Sequence, residues 1–170
     1  MSAWIDTPTG RLWISGDSSA VTDISWNELE GPGDRAALDW IITPLTGYFA
    51  GKAKTFPGNL CFQNGKPVWL RQARKTDPTT LYHEILCAMS RIPYGQTAAY
   101  SDLASTLGNR NLARAVGQAC KKNPLPILVP CHRVVGKHSL GGFSSGLHRK
   151  EILLKLEGAC RYLQMENAPE

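Results

Sequence analysis

Apolar and polar positions alternate between residues 3 and 26, which is the pattern of β-strands with one buried face. The runs AWID, RLWIS and AVTDISW are separated by the turn-forming clusters TPTG and GDSS. The period then becomes helical after Asp34, which is placed to cap a helix, and Pro44 is expected to kink or split that helix. One face of this helix is apolar and carries Leu38, Ile41, Ile42, Leu45 and Phe49. The first half therefore predicts a β-meander followed by a helix.

The second half carries helical periods separated by short turns. An apolar stripe from Leu81 to Met89 ends at RIPYG, and YSDLASTLG predicts a short helix that ends at Gly108. A turn of up to four residues, NRNL, leads to a further helix in ARAVGQACKKN. This order is that of a helix-turn-helix, although many helical bundles share it.

The helix after this turn has a core face and a slim outer face. The residues expected to face the core are Leu112, Ala115, Val116 and Ala119. The outer face carries Ala113, Arg114, Gly117, Gln118 and Lys121. Such a slim face suits entry into a B-DNA minor groove, which is only about 6 Å wide. Close packing against another helix is the alternative that the sequence leaves open.

Charge is distributed unevenly along the chain. Residues 1–79 carry eight Lys/Arg and eight Asp/Glu, whereas residues 80–160 carry ten Lys/Arg against four Asp/Glu. This asymmetry favours a polyanionic partner for the second half, although a solubilising surface charge would also account for it. The polar, turn-rich RQARKTDPTT at 71–80 predicts a domain boundary. We expect domains at 1–74 and 79–160, with a tail at 161–170.

Several classes of protein are disfavoured. No apolar run is long enough to span a bilayer, and the N-terminus lacks the basic start and apolar core of a secretory signal. The five cysteines are irregularly spaced, with no C-x-x-C pair and no second ligand at zinc spacing. We therefore expect a cytoplasmic protein with reduced thiols, no metal, no cofactor and no membrane partner.

The segment VPCHRVVG, residues 129–136, resembles a buried strand but places a thiol beside an imidazole. Cys131 is a candidate nucleophile, held ready as a sulfur anion, and His132 is its candidate base. Neighbouring side chains of an extended segment point to opposite faces, so a tight turn or a bridging water is required between them. A structural cysteine beside a surface histidine is the alternative.

A carboxylate further along the chain favours the catalytic interpretation. Glu157 lies on a helix face with Lys150, Leu153 and Leu154, at a helix end whose dipole opposes its charge. It therefore needs a cation or a hydrogen-bond donor. His132 would fit and would complete a Cys–His–Glu relay, whereas a surface pair of Glu157 with Lys150 or Arg149 is the alternative.

Together these residues resemble the O6-alkylguanine-DNA alkyltransferases. The resemblance spans almost the whole chain, through TPTGRLWIS, YFAGK, IPYGQTAAYSDLA, ARAVGQACKKNPLPILVPCHRVV and RKEILLKLEG. It implies an N-terminal ribonuclease-H-like α/β domain and a C-terminal winged-helix-like domain with a helix-turn-helix. The implied activity is DNA repair by irreversible, single-turnover transfer of an alkyl group from O6-alkylguanine, and also from O4-alkylthymine, in double-stranded DNA to a cysteine.

The resemblance also implies the roles of individual residues. Cys131 is the alkyl acceptor, His132 is a base acting through a water, and Glu157 orients His132. Asn123 shapes the turn that presents the thiol. Tyr100 crowds the 3′ phosphate and is a candidate hydrogen-bond partner of guanine N3.

Further residues of the resemblance belong to DNA and substrate binding. Arg114 is implied to fill the gap left by the flipped nucleotide. The residues implied to meet the minor groove are Ala113, Ala115, Gln118 and Lys121. The substrate pocket is implied to include Val134, Phe143, Ser144 and Ser145, where the Val134 carbonyl reads the guanine amine and Ser144 bonds to O6.

Some positions depart from the family pattern. Phe143 stands where many relatives have tyrosine, and Ser145 replaces a frequent glycine, which would narrow the pocket for bulky alkyl groups. Some relatives bind zinc in the N-terminal domain, but no corresponding ligands occur here. We expect a monomer, and cooperative binding to DNA is left open. The competing hypotheses are a cysteine hydrolase and a helix-turn-helix regulator with a structural cysteine.

Overall fold

The computed structural model describes residues 1–56, 62–63, 66–67 and 80–159. The chain divides into two compact units, one formed by Met1–Thr76 with Pro124–Leu128 and the other by Asp77–Asn123 with Val129–Glu170. The predicted boundary segment lies mostly outside the described residues, and so does the predicted tail. Strands and helices both contribute, which makes this a mixed α/β fold.

The first unit contains an antiparallel sheet of β1 (Ser2–Thr7), β2 (Gly10–Gly16) and β3 (Val21–Ser25), in that spatial order. All three predicted strands are therefore confirmed. In the hairpin between β1 and β2 the terminal pair is Thr7 with Gly10, which leaves a two-residue turn. The alternation that predicted these strands also decides which side chains are buried, since Ala3, Ile5, Leu12 and Ile14 lie in the core.

A helix follows the sheet in the first unit. The Asp34 carboxylate accepts a hydrogen bond from the Ala37 N–H at 3.1 Å and so caps a 3₁₀ turn, which continues into α1 (Asp39–Phe49). The helix is not split at Pro44. Its buried face includes Tyr48 in place of the expected Phe49, which is only half-buried. Beyond α1 the described strands are β4 (Phe62–Gln63) and β5 (Lys66–Pro67), which pair antiparallel.

A short segment from the second half of the chain also packs in the first unit. Pro124–Leu128 is grouped there, and the carbonyl of Pro124 accepts a hydrogen bond from the Ile24 N–H of β3 at 2.8 Å. Leu125, Ile127 and Leu128 are buried. The sequence analysis placed this segment in the second domain because its apolar pattern does not indicate which core it joins.

The second unit is mainly helical. It contains α2 (Thr80–Ser90), β6 (Ala98–Ala99), α3 (Tyr100–Thr106), α4 (Ala113–Lys121), β7 (Val134–Val135) and α5 (Leu147–Glu157). The 3₁₀ turn Arg110–Leu112 joins α3 to α4, and Gly108 before it has a φ of 82°, which confirms the predicted helix, turn and helix. Strands β6 and β7 pair in parallel, so the end of β6, where α3 begins, lies beside the strand that follows Cys131. No helix among the described residues is both long and apolar enough to cross a membrane.

Candidate active site

Cys131 lies in a turn rather than in the strand that its apolar neighbours suggest. Cys131–Arg133 forms a 3₁₀ turn, and only Val134–Val135 after it is extended. The Cys131 N–H donates to the carbonyl of Val129 at 2.8 Å. The turn removes the alternation of a strand and supplies the backbone conformation that the sequence analysis required for adjacent Cys and His to act together.

The Cys131 thiol is buried, with 4% of the residue exposed. The Asn123 side chain hydrogen-bonds the thiol and also donates from Nδ2 to the Val129 carbonyl at 2.7 Å. Burial raises the pKa of Cys131, against the opposing effects of the Asn123 hydrogen bond and the nearby Lys150 charge. Burial therefore favours the neutral thiol, which is opposite in direction to the expected sulfur anion. A base must remove the proton.

His132 is completely buried and bonds to Glu157, as the relay hypothesis predicts. Its Nε2 lies 2.7 Å from Glu157 Oε1. Burial lowers the pKa of His132 despite the opposing carboxylate, so the ring is neutral at neutral pH. Because a carboxylate only accepts hydrogen bonds, the single ring proton resides on Nε2, and the Nδ1 lone pair is the basic position of the imidazole.

Glu157 has a second partner, the charged Arg133, that the sequence analysis missed. Arg133 donates from Nε to Oε2 at 2.8 Å and from Nη2 to Oε1 at 2.9 Å, and the Gly95 N–H donates to Oε2 at 3.1 Å. Burial would raise the pKa of Glu157, but the hydrogen bonds from His132 and Arg133 and the positive charge of Arg133 hold it well below its usual range. The carboxylate is therefore ionised across the neutral range. The only sequence signal for this pair was the basic residue directly after Cys-His.

Lys150 is completely buried but does not pair with Glu157. Its Nζ donates to the carbonyls of Val134 at 2.7 Å and Gly142 at 3.0 Å. Burial lowers its pKa to about 8. The alternative of a surface pair between Lys150 and Glu157 is wrong. Lys150 instead ties β7, the strand after Cys131, to Gly142 in the loop between β7 and α5.

A cavity of about 380 Å³ lies in the same unit. Its lining residues come from α3, α4 and the loop before α5: Tyr100, Gly117, Cys120, Lys121, Gly142, Phe143 and Ser144. Four of the lining residues were predicted to belong to the site: Tyr100 as catalytic, Lys121 as DNA-binding, and Phe143 and Ser144 as substrate-binding. Cys131 is not part of the lining, and neither is Ser145, whose carbonyl accepts a hydrogen bond from Arg149.

The faces of α4 follow the helical period in part, since Leu112 and Ala115, which were expected to face the core, are only half-buried. Arg114, Gln118 and Lys121 are exposed, whereas Ala113 and Ala115 are half-buried. On the opposite face Val116 and Ala119 are buried. The exposed side chains supply two positive charges on one face of this helix. Within the described part of the chain, no cluster of three or more His, Cys, Asp or Glu residues could hold a metal ion.

Comparisons with known proteins agree on one family. Residues 80–159 match the model of the "6-O-methylguanine DNA methyltransferase, DNA binding domain". A methylated-DNA–protein-cysteine methyltransferase of Methanosarcina acetivorans is 33% identical over 167 residues, covering 93% of this chain and 98% of the relative. The constitutive enzyme of Bacillus subtilis is 36% identical, covering 89% and 92%.

The chain belongs to the methylated-DNA–protein-cysteine methyltransferase family. Its fold agrees, since the crystal structure of Mycobacterium tuberculosis OGT in complex with DNA superposes with a TM-score of 0.73 at 32% identity, covering 92% of each chain. A further crystal structure, of the O6-methylguanine methyltransferase from the same organism, has a TM-score of 0.72 at 31% identity and covers 99% of this chain and 96% of that one. The family resemblance and the mixed α/β fold are therefore confirmed.

The buried His132–Glu157 pair is expected to make the stability of the fold depend on pH. Unfolded His132 binds a proton near its ordinary pKa of 6.5, whereas the buried native ring resists protonation. The unfolded state therefore takes up more protons as the pH falls, and native stability decreases below pH 6.5 by up to about 1.4 kcal/mol per pH unit. The contribution of Glu157, whose native pKa is depressed, is complete above its ordinary value of 4.5 and is lost at lower pH.

Urea unfolding between pH 8 and pH 4 tests this expectation. His132→Gln should flatten the decrease between pH 6.5 and 5, whereas His138→Gln, at an exposed histidine of the same unit, should leave it unchanged. An unchanged pH dependence in His132→Gln would contradict the assignment of a buried neutral ring.

Proposed function

We propose that this protein repairs DNA by transferring the alkyl group of O6-alkylguanine to Cys131. The observation that carries this proposal is a buried Cys131 on the same turn as His132, which is hydrogen-bonded to an ionised Glu157, in a chain of this family. A regulator with a structural cysteine would have no need of a buried histidine on the same turn as that cysteine, paired with a buried glutamate from another helix. O4-alkylthymine is proposed as a second substrate of the same chemistry.

His132 supplies the base for this reaction. The Glu157 carboxylate holds the Nε2–H, so Nδ1 accepts the thiol proton, through a water. The sulfur lone pair then forms a bond to the alkyl carbon as the carbon–oxygen bond of the guanine breaks. The electron pair of the broken bond leaves with the guanine, which takes up one proton.

The product explains single turnover. A thioether at Cys131 has no carbonyl for water to attack, in contrast to the acyl-cysteine of a hydrolase. No route in this site regenerates the thiol, so each molecule acts once. Asn123 supports this step by hydrogen-bonding both the thiol and the Val129 carbonyl, which fixes the turn that presents the sulfur.

The substrate residues are assigned from the family resemblance and from their positions. Tyr100, Phe143 and Ser144 line the cavity, where Tyr100 would bond guanine N3, Phe143 would pack on the base, and Ser144 would bond O6. The Val134 carbonyl, already bound by Lys150, is proposed to accept from the guanine amine with its second lone pair. Ser145 is proposed to border the pocket without lining it.

Double-stranded DNA is the proposed partner, approached through its minor groove by α4. Extruding the base costs a few kcal/mol, and Arg114 would offset this by filling the vacated space. The other proposed contacts of the exposed helix face are Ala113, Ala115, Gln118 and Lys121. We further propose that the units are a ribonuclease-H-like domain and a winged-helix-like domain, and that the protein is a cytoplasmic monomer.

Mass spectrometry tests this function directly. The protein is mixed with a duplex containing O6-methylguanine, and the intact mass and the peptides are measured. The expected result is one added methyl on the Cys131 peptide, with a burst of one equivalent and no further turnover. Cys87→Ser changes a half-buried thiol on α2 that does not line the cavity, so it is the control and should react like the wild type. Continued turnover, or a methyl on Cys120, would overturn the proposal.

A further inference from the structure

Arg133 is placed to act on His132 through Glu157. It is 7% exposed and closes the turn that begins with Cys131. Each of its three nitrogens donates a hydrogen bond: Nε and Nη2 to Glu157, and Nη1 to the carbonyl of Ile92 at 2.6 Å. The guanidinium is therefore anchored to the backbone as well as to the carboxylate.

The two oxygens of Glu157 divide their donors in a specific way. Oε1 accepts from His132 and from Arg133 Nη2, and Oε2 accepts from Arg133 Nε and the Gly95 N–H. A bidentate guanidinium fixes the plane of a carboxylate in a way that a single point charge cannot. Arg133 therefore orients the Oε1 lone pair of Glu157 that accepts the hydrogen bond from His132 Nε2.

The charges around His132 show why the contact of Arg133 with Glu157 matters for proton transfer. A lone buried carboxylate beside a neutral imidazole favours the protonated ring, and a protonated ring cannot accept the thiol proton. Arg133 balances the charge of Glu157, and Lys150 is a further cation near the site. Two further ionisable groups lie beside this cluster, Cys131 and Tyr94, and burial raises the pKa of both, which favours their neutral forms.

We propose that Arg133 is a positioning residue for alkyl transfer, which aims the Glu157 carboxylate at Nε2 and keeps His132 neutral until the thiol proton arrives. This inference rests on the proposed function. The hydrogen bonds of Arg133 go to Glu157 and to the Ile92 carbonyl, and the cavity is lined by other residues. Its effect on the reaction therefore passes through Glu157 and His132.

The test is the pH dependence of the single-turnover rate of methyl transfer, measured from pH 5 to pH 9 with a methylated duplex. Arg133→Gln keeps a hydrogen-bonding group but removes the charge, so the acid limb of the profile should move up by at least one pH unit. Arg133→Lys keeps the charge but loses the bidentate contact. Its rate at pH 8 should fall about tenfold, while its acid limb stays within half a unit of the wild type.

Arg91→Met, which changes an exposed arginine after α2, is the control and should leave rate and profile unchanged. Equal slowing of both Arg133 variants at every pH, with the acid limb unmoved, would overturn the proposal and leave Arg133 a structural residue. If Arg133→Gln does not fold, NMR titration of the His132 ring in Arg133→Lys is measured instead of the acid limb of the pH–rate profile. The proposal requires that ring to titrate within half a unit of the wild type, and a ring that titrates more than one unit higher overturns it. A wild type that transfers no methyl group would refute the proposed function itself.

Discussion

Glu157→Gln is expected to lose about 3–5 kcal/mol of stability, the range for breaking a buried ion pair by removing one partner. The Gln amide can still accept a hydrogen bond from His132 with its oxygen. Its NH₂ group would then face two donors, the Arg133 Nε–H and the Gly95 N–H, which now meet the carboxylate at 2.8 and 3.1 Å. The Arg133 charge would also be left buried without its counter-ion.

The same substitution should slow methyl transfer by at least about 100-fold at pH 8, because a general base typically contributes 10²–10⁴-fold and His132 would lose its orienting anion. Denaturant unfolding and single-turnover kinetics measure the two effects separately. Glu151→Gln, on the same helix and only half-buried, is the matched control and should change neither. A Glu157→Gln protein that reacts at the wild-type rate would remove Glu157 from the mechanism.

Gly141→Ala is expected to displace Tyr100 from the cavity wall. A Cβ at Gly141 would lie 2.7 Å from both Cε2 and the hydroxyl oxygen of Tyr100, far inside contact distance. Gly141 also has a φ of 71°, a conformation that strains any residue with a side chain. The ring must therefore move, and it is flanked on its other edge by Gly117, where a Cβ would come within 3.9 Å.

The expected result for Gly141→Ala is a loss of about 100-fold in the single-turnover rate, since misplacing a group by about 1 Å has effects of that size. Gly51→Ala separates this loss from backbone strain. Gly51 has a φ of 69°, but a Cβ there would meet nothing within 4 Å, so this variant should lose about 1 kcal/mol of stability and no activity. If Gly141→Ala matches Gly51→Ala in rate, Tyr100 does not depend on the glycine for its position.

The amphipathic pattern predicted most of the secondary structure. Alternation over residues 3–26 identified all three strands of the first sheet, because each has one buried face. The helical period after residue 146 placed Lys150, Leu153, Leu154 and Glu157 on one face, and all four are buried. The pairing of His132 with Glu157 could be expected because a buried carboxylate at a helix C-terminus needs a donor.

The pattern failed where backbone and side-chain contacts join distant parts of the chain. The apolar residues around Cys131 suit a strand or a buried turn equally, and hydrophobicity alone does not distinguish them. The contacts of Arg133 with Ile92 and Glu157 span 41 and 24 residues, and no local signal encodes them. Lys150 shares a helix face with Leu153 and Leu154, which was a visible sign of a buried cation, but its carbonyl partners depend on the loop conformation.

The Asn123 side chain joins the two ends of the segment Pro124–Leu128, which packs in the first unit, by a hydrogen bond to the Val129 carbonyl. Asn123 directly precedes this segment and Val129 directly follows it, and the Val129 carbonyl also accepts a hydrogen bond from the Cys131 N–H. The backbone that carries the reactive sulfur is therefore joined across the base of this segment by one side chain, and the Asn123 amide couples the position of the thiol to a segment that packs in the core of the first unit.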